Sequence, residues 1–159
     1  MKTKIYFLLM MACITLLLPS CLKDDPLDDF SGVKPVIELP YASSHSSTTT
    51  SSNGKDVTFK LMVNYTIADW REQNDEIVVG LGVDKSLVGN NTLLPASAYT
   101  LPANMTIAKQ TQFTSIDLNV SVAGLAAGKY TLPVVITSVP TGYTISGNFN
   151  YVLFILTVR

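Results

Sequence analysis

The stretch of sequence that decides the fold is Val57-Thr-Phe-Lys-Leu-Met-Val-Asn-Tyr-Thr-Ile67. Apolar side chains occupy every second position, and the positions between them are polar apart from Met62. Successive side chains of a β-strand point to opposite faces, so this period of two predicts a strand that buries one face and exposes the other.

Other stretches with strand signals flank this one, and Gly, Pro, Asn and Asp punctuate the intervals between them. They lie at residues 36–41, 77–83, 101–107, 116–122, 130–136 and 151–158. Short strands separated by turns predict an all-β fold, an antiparallel immunoglobulin-like β-sandwich of about seven strands over residues 35–159. The Ser/Thr-rich stretch 43–54 is predicted to be a polar loop. Small residues at Gly80 and Gly82 predict a close neighbour or a bulge in their strand.

The last predicted strand, residues 151–158, is apolar on both faces. A strand of a sandwich usually has one solvated face, whereas strands buried on both sides read as continuous apolar runs. Either another element covers the outer face of this strand, or that face meets a protein partner.

The amino terminus predicts export and a lipid anchor. Lys2 and Lys4 precede an apolar run that is shorter than the roughly 20 residues of a membrane span, which is typical of a secretory signal. Leu18-Pro-Ser-Cys21 resembles a bacterial lipobox. The resemblance implies a signal peptide at residues 1–20, a diacylglycerol on the Cys21 thiol and a protein attached to the membrane through that lipid. The alternative is an ordinary signal peptide with an incidental cysteine.

The residues after Cys21 predict where the anchored protein faces. Lys23, Asp24 and Asp25 resemble the export signal of surface lipoproteins of Bacteroidota, which implies the outer membrane and the cell exterior. The alternative is the periplasmic face, because a short polar tether suits any lipoprotein. Residues 21–34 contain too little apolar surface to fold alone and are predicted to be an acidic tether.

Composition excludes several classes of function. Removal of residues 1–20 leaves nine basic and twelve acidic side chains, and Arg71 and Arg159 stand apart from other cations. Without a basic stripe to neutralise phosphates, nucleic-acid binding is not expected. Cys13 leaves with the signal and Cys21 takes the lipid, so the folded part holds no disulfide and no thiolate metal site.

The inventory of chemical groups argues against an enzyme. The single histidine, His45, stands among serines with no carboxylate nearby in sequence, and we expect a solvent-exposed loop residue rather than a catalytic base. No His/Cys metal cluster is available, and no acidic spacing matches a calcium loop. We therefore predict no catalytic residues, no metal and no cofactor.

One polar segment stands out between two strong strands, Asp69-Trp70-Arg71-Glu72-Gln73-Asn74-Asp75-Glu76. It contains the only tryptophan. An exposed indole can stack on a sugar ring while amides and carboxylates bind the hydroxyls, which predicts a carbohydrate site at Asp69, Trp70, Arg71, Glu72 and Asn74. The alternatives are a solvated hairpin loop and an indole that folds back to cover one end of the sandwich.

Several motifs downstream carry a family resemblance. They are Val83-Asp84, Leu94-Pro-Ala-Ser-Ala-Tyr99, the alternating strand Ile116–Val122, Gly128-Lys-Tyr-Thr-Leu-Pro133 and Tyr151. Together they resemble a Bacteroidota domain of unknown function, an immunoglobulin-like module at the amino terminus of surface glycan-utilisation lipoproteins and of some family-18 endo-β-N-acetylglucosaminidases.

The resemblance implies a non-enzymatic, surface-exposed lipoprotein that is an accessory or glycan-binding module of a polysaccharide-utilisation system. Its partners are then carbohydrate and an outer-membrane protein. The alternative function is a structural, assembly or adhesin-type envelope module that pairs with a protein partner, through its last strand for example.

Overall fold

A computed structural model describes residues 34–41, 44–67 and 70–159, without the side chain of Glu72. These residues form ten strands and three short 3₁₀ turns. The 3₁₀ turns are Trp70–Glu72, Lys85–Val88 and Ala96–Ala98. The strands are β1 (Val36–Glu38), β2 (Ser46–Ser51), β3 (Val57–Thr66), β4 (Ile77–Val83), β5 (Thr92–Leu93), β6 (Asn104–Ile107), β7 (Phe113–Val120), β8 (Gly128–Ser138), β9 (Thr144–Ile145) and β10 (Tyr151–Val158).

The strands form two packed sheets. One sheet has the order β7-β3-β1-β9, and the other has the order β2-β10-β8-β4-β6 with β5 beside β8. The inward side chains of β3, namely Phe59, Leu61, Val63 and Tyr65, are buried as their period of two predicts. Phe59 meets Phe154 of the opposite sheet with ring centroids 4.9 Å apart. The predicted all-β sandwich is therefore confirmed.

The pairing of the strands is mixed rather than purely antiparallel. Three pairs are parallel, β1 with β9, β2 with β10 and β5 with β8. Each of these pairs joins strands that are far apart in sequence, for which alternation and turn spacing give no direction. Each of the seven predicted strands corresponds to one of these ten, namely β1, β3, β4, β6, β7, β8 and β10, whereas β2, β5 and β9 were not predicted.

The stretch predicted to be a polar loop contains a strand. β2 runs through Ser46–Ser51 at the edge of the larger sheet, parallel to β10 from Leu153 to Val158. Backbone hydrogen bonds hold an edge strand whatever its side chains, and β-branched threonine suits an extended backbone. The inward Ser51 is buried and donates its hydroxyl to the Lys55 carbonyl.

His45 is half-buried and not the solvent-exposed residue that the sequence predicts. It adopts a left-handed φ of 50° just before β2, and its carbonyl accepts a 2.7 Å hydrogen bond from the Leu153 amide. Its ring stacks on Tyr151 at 4.8 Å and contacts Phe149 at 5.4 Å. These aromatic neighbours lie at the start of β10 or just before it, about a hundred residues downstream in the sequence. The composition of the sequence around His45 therefore could not reveal them.

β10 lies inside its sheet, with one face buried in the core and the other half-buried. β2 and β8 pair with its two edges, so pairing with a protein partner through a free edge of the last strand is not available. Leu153 and Ile155 are half-buried on the outer face, beside Pro133 and Thr131 of β8, which are buried. Asn91 donates a 2.8 Å hydrogen bond to the Thr131 hydroxyl. Asn91 thus covers Thr131 of β8, and the half-buried Leu153 and Ile155 fit either alternative for this face.

The two small residues of β4 have the predicted effect on their strand. The register of β4 against β8 shifts between Gly80 and Leu81, which is a β-bulge. A Cβ atom at Gly80 would lie only 2.2 Å from the Ser138 hydroxyl, so the close approach of the two strands requires glycine there.

Candidate functional site

The predicted carbohydrate-binding segment forms a short turn between β3 and β4, which we call the Trp70 turn (residues 70–76). Trp70 is half-buried and packs against the edge of the core. The Arg71 guanidinium lies over the indole, with its carbon 4.9 Å from the ring centroid, in cation–π geometry. Core contacts and Arg71 therefore occupy much of the indole surface, which supports the alternative that Trp70 folds back on the sandwich.

A buried glutamine that the sequence did not single out holds this turn in place. Gln73 is 6% exposed, and its backbone amide donates a 3.3 Å hydrogen bond to the Trp70 carbonyl. The Gln73 carbonyl accepts a 3.1 Å bond from the Gln110 amide, which ties the turn to the β6–β7 connection. The Gln73 side-chain nitrogen donates to the Asp75 carbonyl. These three bonds give the turn a defined conformation. The Gln73 side-chain oxygen is buried and has no hydrogen-bond partner among the residues that the structure describes.

Of the five residues predicted to bind a ligand here, the structure brings three together. Trp70 is half-buried, and Arg71 and Asn74 are exposed on the turn. Asp69 and the side chain of Glu72 lie outside the described residues, and so do Cys21, Lys23, Asp24 and Asp25. Ligand binding at the turn, lipidation and the export signal stay predictions.

A second polar region, which the sequence did not predict, lies beside β7. It is an open cleft of about 410 Å³, and we call it the β7 cleft. Three separate parts of the chain line it, namely the residue just before β3, the 3₁₀ turn Ala96–Ala98 with the two residues after it, and the end of β7. The lining residues are Asp56, Ser97, Ala98, Tyr99, Thr100, Asp117, Asn119, Val120 and Ser121.

Simple alternation places the polar groups of β7 in this cleft. Leu118 and Val120 point into the core and are buried, so Asp117 and Asn119 point outward. The same period carries Ser121 to the outer side just past the strand.

The Leu94–Tyr99 motif forms the opposite wall of the cleft. Leu94 is buried and its amide donates a 3.0 Å hydrogen bond to the Thr131 carbonyl, which fixes the start of the motif on β8. The 3₁₀ turn Ala96–Ala98 then brings Tyr99 beside Val120 in an antiparallel bridge. The Ser121 amide closes this bridge with a 2.8 Å hydrogen bond to the Ala98 carbonyl. The motif that carries the family resemblance therefore builds one side of the cleft.

Hydrogen bonds fix two of the polar side chains of the β7 cleft. The Asp56 carboxylate accepts a 2.9 Å bond from the Val122 amide and a 3.2 Å bond from the Ser121 hydroxyl. The Thr58 hydroxyl donates a 2.7 Å bond to the side-chain oxygen of Asn119. This bond fixes the orientation of the Asn119 amide, and its two N–H donors have no partner among residues 34–41, 44–67 and 70–159.

The aromatic side chain and the second carboxylate of the cleft differ in exposure. Tyr99 is half-buried, and this burial raises the pKa of its phenol above the ordinary 10.0, so the hydroxyl keeps its proton at neutral pH. Asp117 is exposed and stands opposite Lys60 of β3 in the sheet register. The β7 cleft thus offers an aromatic surface, amide donors, hydroxyls and carboxylate acceptors within one concave region.

Within the described ranges, no group of three or more His, Cys, Asp or Glu side chains is placed to hold a metal ion. None of the helices there is long and apolar enough to cross a membrane.

Comparison with known families and curated proteins gives one match. A family model whose description is an N-terminal domain matches residues 34–142, which is more than half of the chain. Among curated proteins, none has a sequence that matches this chain significantly.

Several solved structures have the same fold. A candidate carbohydrate-binding protein from Bacteroides ovatus superposes with a TM-score of 0.58 at 16% identity, over 76% of this chain and 36% of its own. A multidomain B. ovatus protein that includes the domain DUF1735 gives 0.57 at 13% identity, over 79% and 45% of the two chains. A two-domain protein of unknown function from Bacteroides fragilis gives 0.63 at 12% identity, over 82% and 47%. The chain thus spans less than half the length of these three proteins.

Proposed function

This chain belongs to a Bacteroidota family of N-terminal domains of unknown function, and from that premise we propose that it is a non-enzymatic, glycan-binding accessory lipoprotein of a polysaccharide-utilisation system. It binds carbohydrate without cleaving it and holds the glycan near the cell surface for other proteins of the system.

The observation that carries this proposal is the composition of the β7 cleft. Sugar rings present hydroxyls around their rim and apolar C–H groups on their faces. A site for them combines an aromatic surface with convergent donors and acceptors. Tyr99 supplies the aromatic surface, Asn119 supplies fixed amide donors and Asp117 supplies a carboxylate acceptor. The fold likeness to a candidate carbohydrate-binding protein of B. ovatus supports the same function.

The proposed location is the outer membrane, with the sandwich on the outside of the cell. The lipid on Cys21 anchors the protein, and Lys23, Asp24 and Asp25 direct it to the surface. The periplasmic face remains the alternative location.

Two measurements on whole cells test this location. Cys21→Ser is expected to abolish incorporation of radiolabelled palmitate, because Cys21 is the cysteine of the lipobox-like motif and Cys13 lies inside the apolar run of the signal. Replacement of Lys23, Asp24 and Asp25 by alanine is expected to protect the protein from protease added to intact cells. Protection of the unaltered protein from that protease would place it on the periplasmic face instead.

Affinity electrophoresis of the full chain, purified in detergent, tests glycan binding. Gels that contain neutral plant or microbial polysaccharides are expected to retard the protein, and the same polysaccharides are expected to release no reducing ends during incubation. Release of reducing ends in proportion to protein would contradict the non-enzymatic function. Unchanged mobility in every polysaccharide gel would contradict glycan binding.

One observation favours the second candidate function, an envelope assembly module that pairs with a protein partner. Phe113 is 55% exposed on the outer face of the smaller sheet, opposite Asn64 of β3. An exposed phenylalanine is a common anchor of protein interfaces. If this function holds, Phe113→Ser abolishes co-purification with an outer-membrane protein and leaves retardation in polysaccharide gels unchanged.

A further inference from the structure

We infer that the β7 cleft selects uncharged glycans and rejects sulfated and uronic-acid glycans. The inference rests on the proposed function, since it assigns a ligand class to the same site. Its physical basis is the fixed charge of the cleft walls.

The charged residues that line the cleft are both acidic. Asp56 and Asp117 belong to the lining, which contains no lysine and no arginine. Lys60 stands opposite Asp117 in the register of β3 and β7, and it offsets one of the two negative charges. Asp56 is already used as an acceptor by the Val122 amide and the Ser121 hydroxyl, so its position is fixed. A sulfate or carboxylate on a sugar therefore enters a region that holds net negative charge.

The remaining lining groups suit a neutral ligand. The amide donors of Asn119, the Tyr99 phenol and the hydroxyls of Ser97, Thr100 and Ser121 bind neutral hydroxyls without any compensating cation. The volume of about 410 Å³ falls within the range of small-molecule sites. Sites that recognise sulfate or carboxylate groups use arginine forks or lysines instead, and the cleft lining contains neither residue type.

The size of the discrimination follows from Coulomb's law. At separations of a few ångströms in a partly solvated cleft, like charges cost on the order of 1.4 kcal/mol. One extra sulfate at the site should therefore weaken binding about tenfold. The repulsion acts through solvent and is screened by salt.

The experiment compares matched pairs of polysaccharides that differ only in charge. Dextran, laminarin, xylan and galactomannan are each tested beside their sulfated derivative, with the full chain in detergent. The expected result is binding to at least one neutral polymer and about tenfold weaker binding to its sulfated form, with the difference shrinking at high salt.

Replacement of a carboxylate by an amide tests whether the cleft causes the preference for neutral over sulfated polymers. Asp117→Asn keeps an oxygen acceptor, removes one charge and lies at an exposed position, so the protein should fold normally. It is expected to reduce the difference between neutral and sulfated polymers about threefold or more. The matched control is Asp75→Asn, an exposed carboxylate of the Trp70 turn, which should leave the difference unchanged.

Each result separates the inference from the proposed function. Equal or tighter binding of the sulfated polymer overturns the inference and leaves glycan binding intact. Retention by no polysaccharide of either kind overturns the proposed function, and the inference with it. An equal effect of Asp117→Asn and Asp75→Asn shows that overall charge, and not the cleft, sets the preference, which also overturns the inference.

Discussion

The Trp70 turn and the β7 cleft contain the same kinds of side chain and arrange them differently. Each has one large aromatic residue among carboxylates and amides. In the turn these residues are contiguous in sequence, and the aromatic ring packs on the core beneath an arginine. In the cleft they come from three separate segments, and the tyrosine packs against the core and also lines a concave surface, with no cation over its ring in the part of the chain that the structure describes. The difference teaches that the composition of a loop reveals which groups are present, whereas the direction of its aromatic side chain depends on packing.

Among the variants that distinguish the two regions, Trp70→Ala is expected to change a measured quantity most, namely the free energy of unfolding. Removal of a half-buried tryptophan that packs on the core should lower the free energy of unfolding by about 2 kcal/mol, below the range for fully buried aromatic residues. Polysaccharide binding of the folded protein should change less than about twofold. Urea denaturation and affinity electrophoresis measure the two quantities. A large loss of binding with unchanged stability would move the glycan site to the turn.

Tyr99→Ala is the reciprocal change. It removes the aromatic surface of the β7 cleft and should weaken glycan binding about tenfold, or roughly 1.4 kcal/mol. Stability should fall by a similar amount to that of Trp70→Ala, because Tyr99 and Trp70 are both half-buried and both pack against the core. Phe113→Ala is the control, since it deletes an exposed aromatic side chain that does not line the cleft. Equal binding losses in the two variants would contradict the role of Tyr99.

A pair of asparagine variants compares the two regions more finely. Asn119→Ala removes the fixed amide donors of the cleft, and the loss of one or two hydrogen bonds to a sugar should weaken binding about fivefold. Asn74→Ala removes an exposed amide of the turn and should leave the dissociation constant unchanged. Isothermal titration with a neutral oligosaccharide measures both. The opposite ranking would favour the turn.

The smallest effect concerns pH. Burial raises the pKa of the Tyr99 phenol above its ordinary 10.0, so the neutral form is favoured in the folded protein. This contribution to stability is fully present below pH 10 and is lost as the pH rises through the raised pKa. Glycan binding should therefore be nearly constant between about pH 6 and pH 9 and should weaken above about pH 10. In Tyr99→Phe the alkaline decrease in binding should be smaller, and an identical decrease would show that other groups cause it.

Much of the sandwich can be predicted from the sequence because its strands alternate clearly. β3, β4 and β8 each carry apolar residues at alternate positions, and these patterns identify them without any tertiary information, although β8 is buried on both faces from Tyr130 to Val134. β2 could not be predicted in this way, because a run of serine and threonine carries no apolar period and the strand exists through its pairing with β10. His45 was misassigned for the same reason, since its aromatic neighbours are distant in sequence.

In the candidate site, too, some features can be predicted from the sequence and others depend on tertiary contacts. The Trp70 turn could be found because its polar residues are contiguous, but the sequence left open whether the indole points outward or inward. The β7 cleft joins Asp56, Tyr99 and Asn119, and only the tertiary fold brings them together. A partial signal was present in the outward set Asp117, Asn119 and Ser121 opposite the buried face of β7, close to a tyrosine-bearing motif. Alternation identifies such a set as solvent-facing without showing that a second wall stands beside it.

The central claim is that the β7 cleft, and not the Trp70 turn, binds the glycan. The most direct measurement is a ¹H–¹⁵N correlation spectrum of the full chain, titrated with an oligosaccharide of the neutral polysaccharide that retards it in gels. The predicted result is shifts of the backbone amides of Tyr99, Thr100 and Ser121 and of the Asn119 side-chain amide, with the single indole signal of Trp70 unmoved. Shifts confined to the Trp70 indole and the amides of Gln73 and Asn74 would contradict it.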